Sequence, residues 1–320
     1  MVRYWKYTKA FFRLVRIQNL LIIASTMYLL RQLIFIPLLS ETAFQPQISG
    51  KLFFLLVLST VFLAAAGYVI NDYFDRKADL INRPGKVILG RILRRRAGMF
   101  WHVVLNVVGI ALGVFVSYKL GLLKFSIVFV IISGLLWFYS TTYKRQVLLG
   151  NIVVAFMVAA VPLIILLFEL PLLIAKYRYY LISDSTNIDY LSAWIVGYSV
   201  FAFLLTLIRE IVKDLEDFKG DFAFGRQTIP IAWGSAIAKK IVLALAIVSI
   251  ILIVYFLVSF FSDIISVIYI SVSLLLPFAY FIYLVYKSSS NPQYHKISTL
   301  LKLIMLGGIG YAVIAYYFVF

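Results

Sequence analysis

The sequence predicts an all-α, polytopic membrane protein with about nine transmembrane helices in one bundle. Of its 320 residues, 63% are hydrophobic and only 13% are charged, and the mean hydropathy is +1.00. A soluble domain of this size would be far less apolar. The chain also contains nine apolar windows, each long enough to cross a hydrocarbon core of about 30 Å. These two observations together predict the fold class.

The nine predicted spans follow one another along the chain and are separated by polar segments. They cover residues 17–38, 51–70, 98–117, 121–140, 150–172, 191–212, 238–261, 264–286 and 299–319. Before the first span, residues 3–16 mix basic and aromatic side chains, which is typical of an interfacial helix or of a plain basic flank. The first apolar run is too long for a signal peptide, so we expect it to remain as a span.

The distribution of basic residues predicts the orientation of the chain. Most of the 30 Lys and Arg residues fall in segments on one side if the N-terminus is cytoplasmic. The positive-inside rule therefore places the N-terminus in the cytoplasm and, after nine spans of the cell membrane, the C-terminus outside. Membrane lipids and an anionic substrate account for the net charge of +17, so no nucleic-acid partner is needed.

Two acidic clusters with the same spacing follow the second and sixth spans. Their members are Asn71, Asp72, Asp75 and Asp79 in the first cluster and Asp214, Asp217 and Asp221 in the second. The Asp residues fall at i, i+3 and i+7, which would place each set on one face of a helix. Close carboxylates repel each other, and a hard divalent cation such as Mg²⁺ would relieve that repulsion. Both clusters also lie on the same predicted side, so the sequence predicts a Mg²⁺ site that binds phosphate oxygens.

Nearby basic and aromatic residues supply further candidates. Lys86, Lys144 and Arg145 could neutralise a diphosphate, although ordinary anchoring on the cytoplasmic side explains each of them equally well. Tyr68 lies one turn deeper than Asp72, and Tyr139 lies one turn before Tyr143 and Lys144. Their ring faces could stabilise a developing carbocation. The chain has no cysteine, which excludes thiolate metal ligands.

Several runs of this chain resemble motifs of the UbiA superfamily of intramembrane prenyltransferases. NDYFDRKAD at Asn71–Asp79 looks like the first aspartate-rich motif, and INRPGK at Ile81–Lys86 looks like the loop after it. KDLEDFKGDFAFGRQTIPI at Lys213–Ile231 resembles the second motif. YSTTYKR at Tyr139–Arg145 and RIQN at Arg16–Asn19 fit as well. The resemblance covers most of the chain.

The resemblance implies a nine-helix bundle, which we expect to form a single domain, 1–320. Each acidic cluster is followed by a loop with Gly and Pro, and this repetition predicts two related halves that carry motif one at 71–79 and motif two at 214–221. The resemblance also implies Mg²⁺-dependent transfer of a prenyl group from a prenyl diphosphate to a lipid or aromatic acceptor. The candidate metal ligands are Asn71, Asp75, Asp79, Asp214, Asp217 and Asp221. The candidate substrate-binding residues are Arg16, Asn19, Tyr68, Arg83, Lys86, Lys144 and Arg145. The candidate catalytic residues are Asp72, Asp75, Asp217 and Tyr139.

One departure from the family pattern affects the loop after motif one, and the acceptor has alternatives. Many relatives have a second Arg-Pro where this chain has Lys86 and Val87, which weakens the phosphate role of Lys86. Arg209–Asp221 looks most like archaeal-type enzymes that add a second geranylgeranyl chain to geranylgeranylglyceryl phosphate. Quinone-type and tetrapyrrole-type prenyltransferases share related motifs. From a different class, a cation-coupled transporter would also place carboxylates in the membrane.

Overall fold

A computed structural model describes residues 2–42, 44–183, 186–260 and 263–320. It is 87% helical, with no β-strand among the residues that it describes. Nine helical segments in this part of the chain are long and apolar enough to span a membrane, which confirms the nine predicted spans. They are Ile17–Ser40, Gly50–Asn82, Arg95–Lys119, Leu123–Arg145, Leu149–Tyr180, Ile188–Glu216, Ser235–Ser259, Ile264–Lys287 and Asn291–Phe318.

The helices fall into two compact units. The first unit contains Met1–Met27, Gln47–Gln146 and Lys219–Arg226, and the second contains Tyr28–Pro46, Val147–Phe218 and Gln227–Phe320. In chain order the α-helices are α1 Val2–Leu14, α2 Ile17–Leu30, α3 Ile36–Ser40, α4 Gly50–Asn82, α5 Arg95–Lys119, α6 Ile127–Thr141, α7 Leu149–Ser183, α8 Thr186–Glu216, α9 Phe218–Ala223, α10 Ile229–Ala232, α11 Ser235–Phe260, α12 Ile264–Ile270, α13 Leu276–Lys287 and α14 Asn291–Phe318.

In the first unit, α4 packs along α5 and α6. Small residues allow the closest approach of α4 and α5. The Ser59 hydroxyl donates to the Gly109 carbonyl at 2.6 Å, and a Cβ on Gly109 would lie 3.0 Å from the Leu63 side chain. Helix association in membranes depends on such tight van der Waals packing, because lipid is as apolar as the side chains. The rigid α4 then continues beyond its apolar part and carries motif one.

In the second unit, α8 packs against α7, α11 and α14. Two π-helical turns, Arg31–Phe35 and Ser271–Leu275, precede α3 and α13, and both of those helices have a proline in the first turn. Proline has no N–H and its ring crowds the preceding turn, so a widened turn lets the span continue through it. Hydropathy windows contain no signal for these turns.

The structure confirms one expectation about the aspartate-rich segments and corrects another. Residues 71–82 belong to α4, so Asp72, Asp75 and Asp79 share one helix as their spacing predicts. In motif two, α8 ends at Glu216 and α9 begins at Phe218, so Asp214, Asp217 and Asp221 do not share one helix. Gly220 lies within α9, and its N–H donates to Asn82 Oδ1 at 2.8 Å. This contact holds α9 at the end of α4.

Candidate active site

Asp75 of motif one lies at the centre of a buried cluster of charges in the first unit. Its carboxylate accepts a hydrogen bond from Lys144 Nζ at 2.6 Å and another from Arg226 Nη2. Lys144 Nζ is also 3.4 Å from Asn71 Oδ1. Lys144 comes from the 3₁₀ turn after α6, so the cluster joins this turn to α4. Charge-assisted hydrogen bonds of this kind are about twice as strong as neutral ones.

A turn after α9 directs Arg226 into this cluster. Gly225 has a left-handed φ of +65°, and its N–H bonds to the Phe222 carbonyl while the N–H of Arg226 bonds to the Asp221 carbonyl. This pair of bonds is a Schellman motif, which favours glycine because a Cβ is disfavoured at positive φ. The turn brings the Arg226 side chain back, and Nη1 donates to Asp221 Oδ1 at 2.9 Å.

Arg226 therefore bridges an acid of motif one and an acid of motif two. Burial acts to lower the pKa of the guanidinium, but the carboxylates of Asp75 and Asp221 together outweigh it and leave this pKa raised above its usual value. Tyr139 acts in the same direction. The guanidinium is consequently a permanent positive charge between two buried carboxylates.

Gly220 fixes the position of α9 against α4. A Cβ at Gly220 would lie 2.4–2.5 Å from the side-chain amide of Asn82, which is closer than real Cβ contacts. Only glycine therefore allows the Gly220 N–H to reach Asn82 Oδ1. Because Asp221 follows directly, this contact also places the Asp221 carboxylate beside Arg226.

A second charged contact in the first unit lies around Asp72. Arg16 Nη2 donates to Asp72 Oδ1 at 2.8 Å, and the Arg16 guanidinium carbon lies 4.8 Å from the centre of the Tyr68 ring. Asn19 Nδ2 donates to the Tyr68 hydroxyl at 3.3 Å. Arg16 has a φ of +53° between α1 and α2, an uncommon conformation for an Arg. The structure thus brings Arg16, Asn19 and Tyr68 to the first motif.

The remaining acids of motif two belong to the second unit. Asp214 lies on α8, and its Oδ2 accepts a hydrogen bond from Asn151 Nδ2 of α7 at 2.8 Å. Asp217 lies between α8 and α9, and its N–H bonds to the Lys213 carbonyl. Asn151 is buried, so it fixes the orientation of the Asp214 carboxylate.

The other predicted site residues lie in less buried positions. Lys86 and Arg145 are exposed, Arg83 and Asp79 are partly buried, and Tyr139 is partly buried on α6. Arg145 differs in this respect from its neighbour Lys144, which is buried against Asp75. The structure therefore brings Lys144 to motif one directly and leaves Lys86 and Arg145 at the surface.

The donor set suits a hard cation, although the residues that the structure describes contain no group of three or more acidic or His side chains that could hold a metal ion. The side chains around Asp75 and Asp221 offer carboxylate and amide oxygens, which Mg²⁺ prefers. Mg²⁺ is commonly held by one or two carboxylates together with substrate phosphates, and dedicated protein cages are unusual. The oxygen donors therefore fit Mg²⁺ that is bound with a phosphate substrate.

Sequence reasoning missed three residues of this arrangement. Arg226, Asn82 and Asn151 all contact motif acids or the helix that carries one. The signal for Arg226 was its place directly after Gly225, because glycine at a helix end turns the chain back on itself. Nothing in the sequence around Asn151 distinguishes it from a polar residue at a helix start.

The chain matches the family described as the UbiA prenyltransferase family over residues 34–305. The chain belongs to the UbiA prenyltransferase family. This finding confirms the predicted family, and with it a prenyltransferase and a multi-pass membrane protein. It also excludes the cation-coupled transporter that the intramembrane acids left open.

Two curated relatives of this UbiA chain are digeranylgeranylglyceryl phosphate synthases. The protein from Methanosphaera stadtmanae is 31% identical over 249 residues, which cover 77% of this chain and 81% of that protein. The protein from Methanothermobacter thermautotrophicus is 35% identical over 196 residues, which cover 60% of each chain. The chain therefore spans most of the first relative and about three fifths of the second.

Solved structures share the UbiA fold. One, from work on digeranylgeranylglyceryl phosphate synthase in membranes, is 22% identical with a TM-score of 0.60 and 99% of both chains covered. A UbiA homologue from Archaeoglobus fulgidus bound to GPP and Mg²⁺ is 16% identical with a TM-score of 0.55, and 94% of this chain and 98% of that chain are covered. At these identities the likeness establishes the fold alone.

Proposed function

We propose that this protein transfers a geranylgeranyl group from geranylgeranyl diphosphate to geranylgeranylglyceryl phosphate in a Mg²⁺-dependent reaction. The observation that carries the proposal is the convergence of Lys144 and Arg226 on Asp75 within motif one. Buried acids and cations together suit a substrate that is both a metal ligand and a phosphate. The named activity of the Methanosphaera relative supports this choice of acceptor.

The proposed reaction exchanges one carbon–oxygen bond for another. The bond between the allylic carbon and the diphosphate oxygen breaks, and its electron pair leaves with the diphosphate. The free glycerol hydroxyl of the acceptor then attacks the allylic cation, forms an ether bond and releases its proton to water. The product carries two geranylgeranyl chains, in agreement with the name of the relatives.

Individual residues have separate parts in this proposal. Lys144 and Arg226 would donate to the phosphate oxygens and stabilise the departing charge, which fixed cations do efficiently because they need no reorientation. Asp72 would hold Arg16, and Tyr68 and Tyr139 would present ring faces to the cation. Arg16, Asn19, Arg83, Lys86 and Arg145 remain proposed substrate contacts.

The metal is also part of the proposal. We assign its ligation to the motif acids with Asn71, namely Asn71, Asp75, Asp79, Asp214, Asp217 and Asp221. Bound Mg²⁺ would neutralise the diphosphate and make it a better leaving group.

The test uses purified protein in lipid nanodiscs with Mg²⁺, radiolabelled geranylgeranyl diphosphate and a panel of acceptors that includes geranylgeranylglyceryl phosphate and aromatic acids. We expect an EDTA-sensitive product with geranylgeranylglyceryl phosphate. Asp75→Asn and Asp217→Asn should lower kcat at least about 100-fold, whereas Glu41→Gln, the same change at an exposed acid, should not. A product with an aromatic acceptor alone would contradict the proposed acceptor, and full activity in both Asp variants would contradict the site.

The topology and the internal repeat belong to the same proposal. The basic residues support a cytoplasmic N-terminus and an external C-terminus, in a single domain with two related halves. Because the chain has no native cysteine, one introduced cysteine reports one position. We expect an impermeant maleimide added outside to label Glu41→Cys and not Ser289→Cys, and the reverse pattern would contradict the orientation.

A further inference from the structure

Buried polar atoms that have no hydrogen-bond partner concentrate on one helix of the second unit. Among the described residues, four side-chain atoms have this property, and they are Tyr198 Oη, Thr206 Oγ1, Arg209 Nε and Thr228 Oγ1. Three of the four lie on α8. Buried polar atoms are nearly always paired in folded proteins, so the three atoms on α8 are available as partners for a ligand.

An apolar cavity adjoins the same helix. It has a volume of about 140 Å³ and lies among α8, α11, α12, α13 and α14, where its lining includes Trp194, Tyr198, Leu205, Phe278 and Gly308. All of its lining residues belong to the second unit, and none of them is charged. Such a cavity suits part of an alkyl or isoprenoid chain.

Two basic residues, Arg209 and Lys213, follow the cavity-lining residues along α8. Tyr198, Leu205 and Arg209 are spaced i, i+7 and i+11, which places them on one face of the helix. Arg209 lies about 6 Å beyond Leu205 along the helix axis, and Lys213 lies about 6 Å further. The side chains of Arg209 and Lys213 are 20% and 24% exposed, so both can reach a ligand.

The Glu210 carboxylate forms an ion pair with both Arg209 and Lys213. Glu210 Oε1 accepts a hydrogen bond from Arg209 Nη1 at 3.0 Å, and Glu210 Oε2 accepts one from Lys213 Nζ at 3.0 Å. The three side chains together carry one net positive charge, and Arg209 Nε is still a free donor. A guanidinium presents its donors in a planar fork that matches phosphate geometry.

We propose that α8 binds the phosphorylated lipid acceptor, with the lipid chain in the cavity and the phosphate on Arg209 and Lys213. The proposal rests on the proposed function and adds the residues that recognise the acceptor. The donor diphosphate is assigned to the motif acids and Mg²⁺, whereas a phosphate monoester needs only cationic donors. Arg209 and Lys213 thus select a phosphorylated acceptor over a neutral one.

Equilibrium binding tests the phosphate contact without catalysis. The full-length protein in lipid nanodiscs is titrated with radiolabelled geranylgeranylglyceryl phosphate, without Mg²⁺ and without the donor. We expect Arg209→Gln to weaken binding at least tenfold, which is about 1.4 kcal/mol, and Arg209→Lys to weaken it less. Lys240→Gln, the same loss of charge at an exposed residue of α11, should bind within twofold of the wild type.

A cavity-filling variant tests the lipid chain independently. A Cβ at Gly308 would meet nothing within 4 Å, so Gly308→Leu can extend into the cavity without moving the backbone. We expect this variant to weaken binding of the acceptor at least tenfold. In turnover, Arg209→Gln and Gly308→Leu should each raise the KM for the acceptor tenfold and leave the KM for geranylgeranyl diphosphate within twofold.

The outcomes separate this inference from the proposed function. If the wild type turns over geranylgeranylglyceryl phosphate but both variants bind this acceptor as tightly as the wild type does, the inference is wrong and the proposed function stands. An equal rise of both KM values would overturn it as well. If the wild type uses only other acceptors, the proposed function itself is wrong. Should Arg209→Gln fail to fold, Lys213→Gln and Gly308→Leu carry the same test.

Discussion

Replacement of Arg226 by Gln should lower the free energy of unfolding by about 3 kcal/mol. The side chains of Arg226, Asp75 and Asp221 are only 15%, 12% and 4% exposed, so the change leaves buried carboxylates without their bridging cation. Loss of one partner of a buried ion pair costs about 3–5 kcal/mol. We expect a cost at the low end of this range, because Lys144 still contacts Asp75 in the variant.

A double-mutant cycle isolates the contact between Arg226 and Asp221. Asp221→Asn removes the negative charge that Arg226 opposes, so the two changes together should cost less than the sum of their separate effects. Close charged pairs that are hydrogen-bonded couple by about 1.5–3 kcal/mol. We expect a coupling energy in this range, because Nη1 of Arg226 is 2.9 Å from the Asp221 carboxylate.

The cycle is measured by reversible unfolding in mixed detergent micelles, which needs no substrate. Lys77→Gln on α4 is the matched control, because Lys77 is exposed and surface changes usually stay within about 0.5 kcal/mol. A coupling energy below about 0.5 kcal/mol would show that Arg226 and Asp221 do not form a stabilising pair. The bridge between the two motifs would then be refuted, whatever the enzyme activity of the variants.

The remaining predictions concern the turns, a buried pair and the metal. Gly225→Ala should cost about 1 kcal/mol because of its positive φ, and Gly225→Asn should cost less because Asn tolerates that conformation; unfolding of the two variants tests this order. Gly220→Ala should cost about 1–3 kcal/mol, since its Cβ displaces the Asn82 amide and breaks a buried hydrogen bond; an unchanged unfolding midpoint would contradict the contact. Arg31→Met should cost about 3–5 kcal/mol because it removes the cation that is paired with the buried Glu169 carboxylate, and Arg31→Met with Glu169→Leu should recover most of that loss in the same assay. EDTA should abolish turnover and leave the unfolding midpoint nearly unchanged, because Asp72, Asp75 and Asp221 already have cationic partners; a large fall would show that the metal is needed for the fold.

Hydropathy predicted the spans but not the ends of the helices. All nine apolar windows correspond to helical segments in the part of the chain that the structure describes. The apolar window of the second span stops near residue 70, yet α4 continues to Asn82. Extension of an existing helix is easier than starting a new one, and Arg76, Lys77, Ala78 and Leu80 are good helix formers. Conversely, α8 ends at Glu216, before the end of motif two. Tertiary contacts such as the one between Gly220 and Asn82 determine these ends, and a periodicity of apolar residues does not contain them.

The site was predictable where a side chain's role follows from its position on a helix. Asp72, Asp75 and Asp79 all lie on α4, as their spacing predicted. Lys144 and Arg145 are adjacent and chemically alike, but only Lys144 is buried against Asp75. The direction of a side chain in a 3₁₀ turn depends on the packing of the turn, so the sequence could not decide between them.

The charges of the cluster explain how a membrane helix can carry several carboxylates. The sequence argument held that neighbouring Asp residues repel each other and therefore need a metal ion. The structure offers a second source of positive charge, because Arg16, Lys144 and Arg226 contact Asp72, Asp75 or Asp221. Folding and metal binding then place different demands on the same acids. We therefore expect the fold to need only the cations of the chain, and the metal to be needed when the diphosphate, with its own negative charge, is bound. Arg226 would serve both purposes. It pairs with an acid of each motif in the folded protein, and its guanidinium is suited to binding phosphate.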